Sequence, residues 1–326
     1  MRCALLSAVL PLVLPFAGCV GDDTNSALPP SDAGSPADAT LTGADASDGA
    51  VPLAPVAGLR LAHWAADAPA IDFCVAPHGS SSFGAPLLAA AWVALADAGV
   101  EGEAGSAALS FSQASAYVVL PAGAYDARVV AAGSVDCSTG IGGDLATLPP
   151  LGTGAFATVA LIGDPHPKVG TVGAPALRLV GLLDDLKAPG AIGLRFVNAS
   201  PLLPQADLGT GTLLGTFKPL ASGVAFGDPP PPSEAGAPDG SIVVDPQGYA
   251  AIGALSAVTL SAHATGGTSD TVVVSNVSAA KGSVLTVALV GGSLGDDGAV
   301  VGALLVQCED NAGTVGVFGS CAALSP

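Results

Sequence analysis

The sequence predicts an all-β protein: two tandem immunoglobulin-like β-sandwich domains that follow a disordered tether. Three observations carry that expectation. Of 326 residues half are apolar, yet only 4 % are aromatic, with 44 Gly and 27 Pro, a mixture suited to many short strands joined by tight turns. Short alternating apolar runs recur with turn signals every ten or so residues. The second half of the chain also repeats the first, and a length of 326 residues suits two domains of ordinary size.

The repeat is read in three stretches, in the same order at nearly the same offset, the first of them without gaps. Gly58-Leu59-Arg60-Leu61-Ala62-His63 aligns with Gly193-Leu194-Arg195-Phe196-Val197-Asn198, and at the same offset Pro69 meets Pro204 and Asp72 meets Asp207. Gly154 to Gly163 matches Gly282 to Gly291, and Leu179-Val180 through Asp184 echoes Leu305-Val306 through Asp310. The expected domains are therefore 58–188 and 189–326, with a boundary at Ala188-Pro189-Gly190. Tyr117 to Leu120 and Tyr125 to Val130, joined by Pro121-Ala122-Gly123, read as a hairpin, and Val258 to Ala262 with Thr271 to Val274 as the corresponding strands of the second copy. Pro86 to Ala98 is rich enough in Ala and Leu for a short helix or a packed loop. Residues 227–240, GDPPPPSEAGAPDG, cannot sit in a central strand and read as an exposed loop.

Ahead of the repeat, residues 1–18 read as an export signal: Arg2 precedes an apolar stretch, Ala4 to Phe16, too short to span a bilayer as a mature helix. Phe16-Ala17-Gly18-Cys19 resembles the bacterial lipoprotein signal, which implies a lipid on Cys19 and a membrane as partner through that lipid. Val20 in the next position favours the outer membrane. Residues 19–57 hold six aspartates and no basic residue, too polar to offset the entropy of ordering. As a flexible tether they would hold the repeat roughly 30 to 35 Å from the lipid.

Nine Lys and Arg against 27 Asp and Glu give a formal charge of −18, which repels phosphate backbones and excludes nucleic acid as a partner. With Cys3 in the signal and Cys19 lipidated, four cysteines remain, an even number expected to form disulfides in an exported chain. Proximity pairs Cys308 with Cys321 and leaves Cys74 with Cys137. A metal site is not expected, because no C-x-x-C pair occurs and His78, His166 and His263 lie far apart in sequence. No cofactor is expected either: Gly209 to Gly215 lacks the lysine and spacing of a phosphate loop. Gly295-Asp296-Asp297-Gly298 lacks the repeated acidic spacing of calcium loops. Neither G-x-S-x-G nor H-E-x-x-H is present.

The sharpest chemical candidate is the stretch containing His63, Asp67, Pro69 and Asp72. Its second copy holds Asn198, Leu202, Pro204 and Asp207. A general base cannot become Asn and keep its role, whereas a turn residue that ties backbone groups can. The expectation is a structural corner; a hydrolase using His63 with Asp67 or Asp72 is the alternative. His63-Trp64-Ala65-Ala66-Asp67-Ala68-Pro69-Ala70-Ile71-Asp72 resembles the H-A-S-P-D-A-P-x-V-D motif of the bacterial family called domain of unknown function 4397. Asn198-Ala199-Ser200-Pro201 keeps that motif's A-S-P portion, and Leu120 to Tyr125 with Arg128-Val129 is similar to its L-P-A-G-x-Y-x-x-R-V segment. The resemblance implies surface-anchored, often repeated β-domains with no assigned activity. A non-catalytic envelope protein that binds an envelope protein or extracellular polymer is the reading that results, with an architectural spacer as a further alternative.

Overall fold

The computed structural model describes residues 56–90, 108–166, 175–187, 191–233, 242–294, 300–311 and 321–325. The signal, Cys19, the tether up to residue 55, the boundary at 188–190 and positions 234–240 of the Pro-rich loop lie outside them. Residues 56 and 57, placed in the tether above, begin the first strand.

In the first half the strands are β1 (Val56–His63), β2 (Ile71–Pro77), β3 (Val118–Pro121), β4 (Tyr125–Ala131), β5 (Phe156–Ile162) and β6 (Arg178–Asp184). The second half begins with β7 (Ile192–Ala199), β8 (Gln205–Thr210), β9 (Lys218–Ala225) and β10 (Tyr249–Ile252), followed by β11 (Leu255–Ala264) and β12 (Val272–Ala279). It ends with β13 (Val284–Leu294), β14 (Val300–Glu309) and β15 (Cys321–Leu324). One inner sheet runs β3-β1-β5-β6, the other β10-β7-β13-β14-β15. Both pair their first strand in parallel with the later one: Arg60 lies opposite Thr158, and Arg195 opposite Thr286. The outer layers are β2-β4 in the first half and β12-β11-β8-β9 in the second.

Alternation along these strands sorts the side chains onto two faces. Leu59, Leu61, Val159 and Leu161 point to the first outer layer and pack on Ile71, Phe73, Ala127 and Val129. Leu194, Phe196, Val287 and Leu289 likewise pack on Leu208, Leu260, Ala262 and Val274. The opposite faces do not meet water. Ala62, Trp64, Ala160, Ile162 and Leu182 form a third buried cluster with Val197, Ala199, Ala288, Val290 and Val306. The inner sheets are thus covered on both faces, and their strands read as almost continuous apolar runs for that reason. All described strands belong to one compact unit, Pro52–Pro326.

The hairpin expected around Pro121-Ala122-Gly123 does not form. β3 pairs with β1 and β4 pairs with β2, so the turn carries the chain from the inner sheet to the outer one. Leu120 and Ala127 still bury their side chains in the same core, which is why the apolar pattern of a hairpin is present without its pairing. In the second half β11 and β12 do pair with each other, with register shifts at Leu255/Val258 and Val258/Leu260. Only residues 87–90 of the Pro86 to Ala98 stretch are described as helical; the rest from 91 onward lies outside the described residues.

Both expected disulfides are present, Cys74–Cys137 and Cys308–Cys321. The first ties β2 of the outer layer to the loop after β4. The second joins opposite residues of β14 and β15.

Candidate functional site

The most concentrated chemistry lies where the inner sheets face each other. Arg60 on β1 and Arg195 on β7 are both buried, each beside the threonine opposite it in the parallel ladder. Arg60 donates to Thr158 Oγ1 from Nε at 3.0 Å and from a terminal nitrogen at 2.8 Å. Arg195 does the same to Thr286 at 3.2 and 2.9 Å. Each threonine donates onward to the aspartate of its own half, Thr158 to Asp184 at 2.7 Å and Thr286 to Asp310 at 2.6 Å. Tyr117 donates to Asp184 at 2.8 Å and Tyr249 to Asp310 at 2.7 Å.

The ion pairs then cross between halves. Arg60 meets Asp310 at 2.7 Å, and Arg195 meets Asp184 through a short hydrogen bond. Arg195 also donates to the Leu183 carbonyl at 2.6 Å. Each guanidinium lies over the tyrosine of its own half, 5.2 Å from the Tyr117 centroid and 4.6 Å from that of Tyr249, within reach of a cation–π attraction. Two Arg, two Thr, two Asp and two Tyr thus form one buried, doubly crossed network.

Its electrostatics follow from that geometry. Burial works against the charge of both arginines, but Asp310 and Asp184 hold Arg60 above its usual range, and Tyr249, Asp184 and Asp310 hold Arg195 above it. Burial pushes Asp184 up, while Arg195 and Arg60 bring its carboxyl below the usual carboxylate range. Burial raises both tyrosines. A set of groups locked in these states is suited to holding two sheets in one register.

The residues singled out by sequence are placed elsewhere, at the corners of each half. His63 is buried, and its Nε2 hydrogen-bonds the Pro69 carbonyl at 3.0 Å. Burial lowers its pKa, opposed by that bond. Asn198 donates from Nδ2 to the carbonyls of Leu203 at 2.7 Å and Val224 at 3.2 Å. Asp67 is an exposed turn residue with φ of 62°. Asp72 is buried and accepts the amides of Phe73, Leu88 and Ala89; burial raises its pKa against those bonds. Asp207 accepts the Gly223 amide at 2.7 Å and the Thr265 hydroxyl at 2.7 Å. The Pro204 carbonyl accepts the amide of Phe226 at 3.1 Å. His63 and Asp72 therefore face separate backbone partners while Asp67 lies in an exposed turn, and the structure does not bring them together around one point.

Two other His–Asp contacts are local. Exposed His78 lies 2.7 Å from Asp126, whose other oxygen accepts the Gly79 amide. His263 sits with its two ring nitrogens toward different carboxylates, Asp207 at 3.4 Å and Asp270 at 3.8 Å. Carboxylates on opposite sides of a ring cannot converge on one ion, and among the described residues no group of three such side chains is arranged to hold a metal.

Arg60, Arg195, Thr158, Thr286, Asp184 and Asp310 were not singled out by sequence. A signal for them exists: they stay identical between the aligned copies, as Asp72 and Asp207 also do.

Residues 57–209 match the model of the domain of unknown function DUF4397. The DUF4397 match takes in the strands of the first half from the second residue of β1 and continues through β7 and most of β8 of the second. It contains Arg60, Thr158, Asp184 and Arg195, but neither Thr286 nor Asp310. No curated protein matches the chain.

Proposed function

We propose that this is a non-catalytic protein, anchored by a lipid on Cys19 to the bacterial cell envelope, that presents two DUF4397-like β-domains as one rigid body to an envelope or extracellular partner. The observation that carries the reading is the crossed network. Its charged groups are spent on each other across the two halves, so the best-ordered polar chemistry of the molecule serves register and not turnover. The lipoprotein-like signal, the acidic stretch after Cys19 and the paired disulfides support export and surface display. Outer-membrane placement is supported by Val20, which is not acidic, directly after Cys19. A protein partner fits better than a polysaccharide, since two Trp and three Tyr leave little for stacking against sugar rings.

Cross-linking on intact cells tests the reading, paired with intact-mass analysis of the membrane-purified protein and a Cys19→Ala variant. The expected result is a chain beginning at acylated Cys19, gaining four hydrogens on reduction, with a cross-linked product that disappears in the variant. A chain without lipid, or a hydrolytic activity abolished by His63→Ala with stability unchanged, would overturn it.

A further inference from the structure

The two inner sheets differ at one end of their shared interface. In the first half Phe156 stacks over Gly58: a Cβ built on Gly58 would lie 2.5 Å from the Phe156 ring. That ring also packs edge-on to Tyr117 with centroids 5.1 Å apart. In the second half the register is the same, but Val284 stands where Phe156 does. A Cβ on Gly193 would meet Val284 at 3.6 Å and Tyr249 at 3.9 Å, ordinary contact distances. Beside Val284 lies a cleft of about 280 Å³ lined by Gly193, Val284, Tyr249, Ala250, Ala251 and Val243.

Three charged residues, Asp185, Lys187 and Asp245, complete the lining. Asp245 accepts the amides of Gln247 and Tyr249 through one oxygen, and Asp185 accepts the Lys187 amide through one oxygen, which leaves the second oxygen of each carboxylate. Lys187 is exposed, and its long stem lets the ammonium turn to solvent. The rim therefore carries two carboxylates against one mobile ammonium, in a chain of formal charge −18.

We propose that this cleft seats one apolar side chain of a partner polypeptide, with a basic residue of that partner beside it on Asp185 and Asp245. The volume sets the size of the occupant. It falls below the roughly 300–1,000 Å³ of sites that enclose a drug-sized ligand, but it suits a single leucine-sized anchor of the kind that dominates protein interfaces. The charge sets the neighbour, because a negative rim on a strongly acidic protein attracts cations and disfavours acidic partners. The proposal rests on the partner-binding reading above, and it is tested without the natural partner.

The ¹⁵N-labelled mature full-length chain is titrated with acetyl-Leu-Lys-amide, acetyl-Leu-Gln-amide and acetyl-Leu-Glu-amide, following the amides of Gly193, Ala250 and Ala251. Expected is binding in the order Lys, Gln, Glu, with about tenfold between the first and last, a step that one well-placed ion pair can supply. Ala251→Leu plugs the cleft from an exposed position and should abolish the shifts; Val284→Phe restores the ring of the first half and should do the same. Asp185→Asn should shrink the Lys-over-Glu preference while Leu binding remains. Equal or tighter binding of the Glu peptide, or shifts that persist in Ala251→Leu, would overturn the proposal. Such a failure would leave the whole-cell cross-link unaffected, so the two readings fail separately.

Discussion

The two halves share an inner sheet and differ in their outer layer. Strand order, parallel pairing and the Arg–Thr–Asp–Tyr set recur in both inner sheets. The outer layer of the second half is a four-stranded sheet, whereas that of the first has two strands flanked by isolated bridges at Ile71–Leu109 and Ala127–Leu145. Where the ladder is short, other ties stand in: Cys74–Cys137, and the buried Asp72 carboxylate holding the amides of Leu88 and Ala89. The second half places its disulfide in the inner sheet instead. The surface facing the other half is the constrained one, and each outer layer is free to be built in its own way.

The largest effect expected from breaking that symmetry is at the crossed pairs. Asp310→Ala takes from buried Arg60 its close carboxylate at 2.7 Å and leaves only Asp184 at 3.9 Å, and chemical denaturation should show a loss of about 3 kcal/mol. Arg60→Met combined with Asp310→Leu should lose less than Asp310→Ala alone, because no uncompensated charge remains. Next come the staples. Loop closure over 63 residues is worth roughly 4 kcal/mol, and over 13 residues roughly 3. Removing Cys74–Cys137 should therefore cost more than removing Cys308–Cys321, and proteolysis after its removal should begin in the first outer layer.

The corners sharpen the comparison through pH. His63 has a folded pKa below its unfolded value of about 6.5. The unfolded chain then binds the extra proton first, so stability present above that value is lost as pH falls through it. His63→Asn, which copies Asn198 of the second half, should flatten the stability profile between pH 7 and pH 5 in urea titrations. The smallest expected change is Asp67→Gly, which relieves a left-handed backbone at φ 62° and so offsets the extra entropy glycine lends the unfolded chain, leaving thermal stability within about 1 kcal/mol.

The fold class and both disulfides were legible in the sequence because alternation, turn residues and an even cysteine count are local signals. The pairing of β3 was not. A Pro-Ala-Gly turn between two apolar runs reads the same whether the chain doubles back or crosses to another sheet. The corner at His63 drew attention because it gathers ionisable residues within ten positions, yet its side chains disperse onto separate backbone groups. The central network did the reverse. Its members are scattered over 250 residues, from Arg60 to Asp310, and they meet through the parallel pairing of β1 with β5 and β7 with β13, the pairing of β5 with β6, and the facing of the two inner sheets. Their identity between the aligned stretches was visible. Their convergence depends on sheet order, which no local pattern encodes. The cleft over Gly193 was equally hidden, since its lining is drawn from residues 185 to 284.

The central claim is that the halves form one cooperative body held by exchanged charges. Residue-resolved hydrogen exchange of Asp310→Asn against the unaltered protein tests it most directly. The account predicts faster exchange in β1 and β5 of the first half together with β7 and β13 of the second, because the loss at Asp310 falls on Arg60 across the interface. Faster exchange confined to the strands of the second half, with β1 and β5 unchanged, would contradict it.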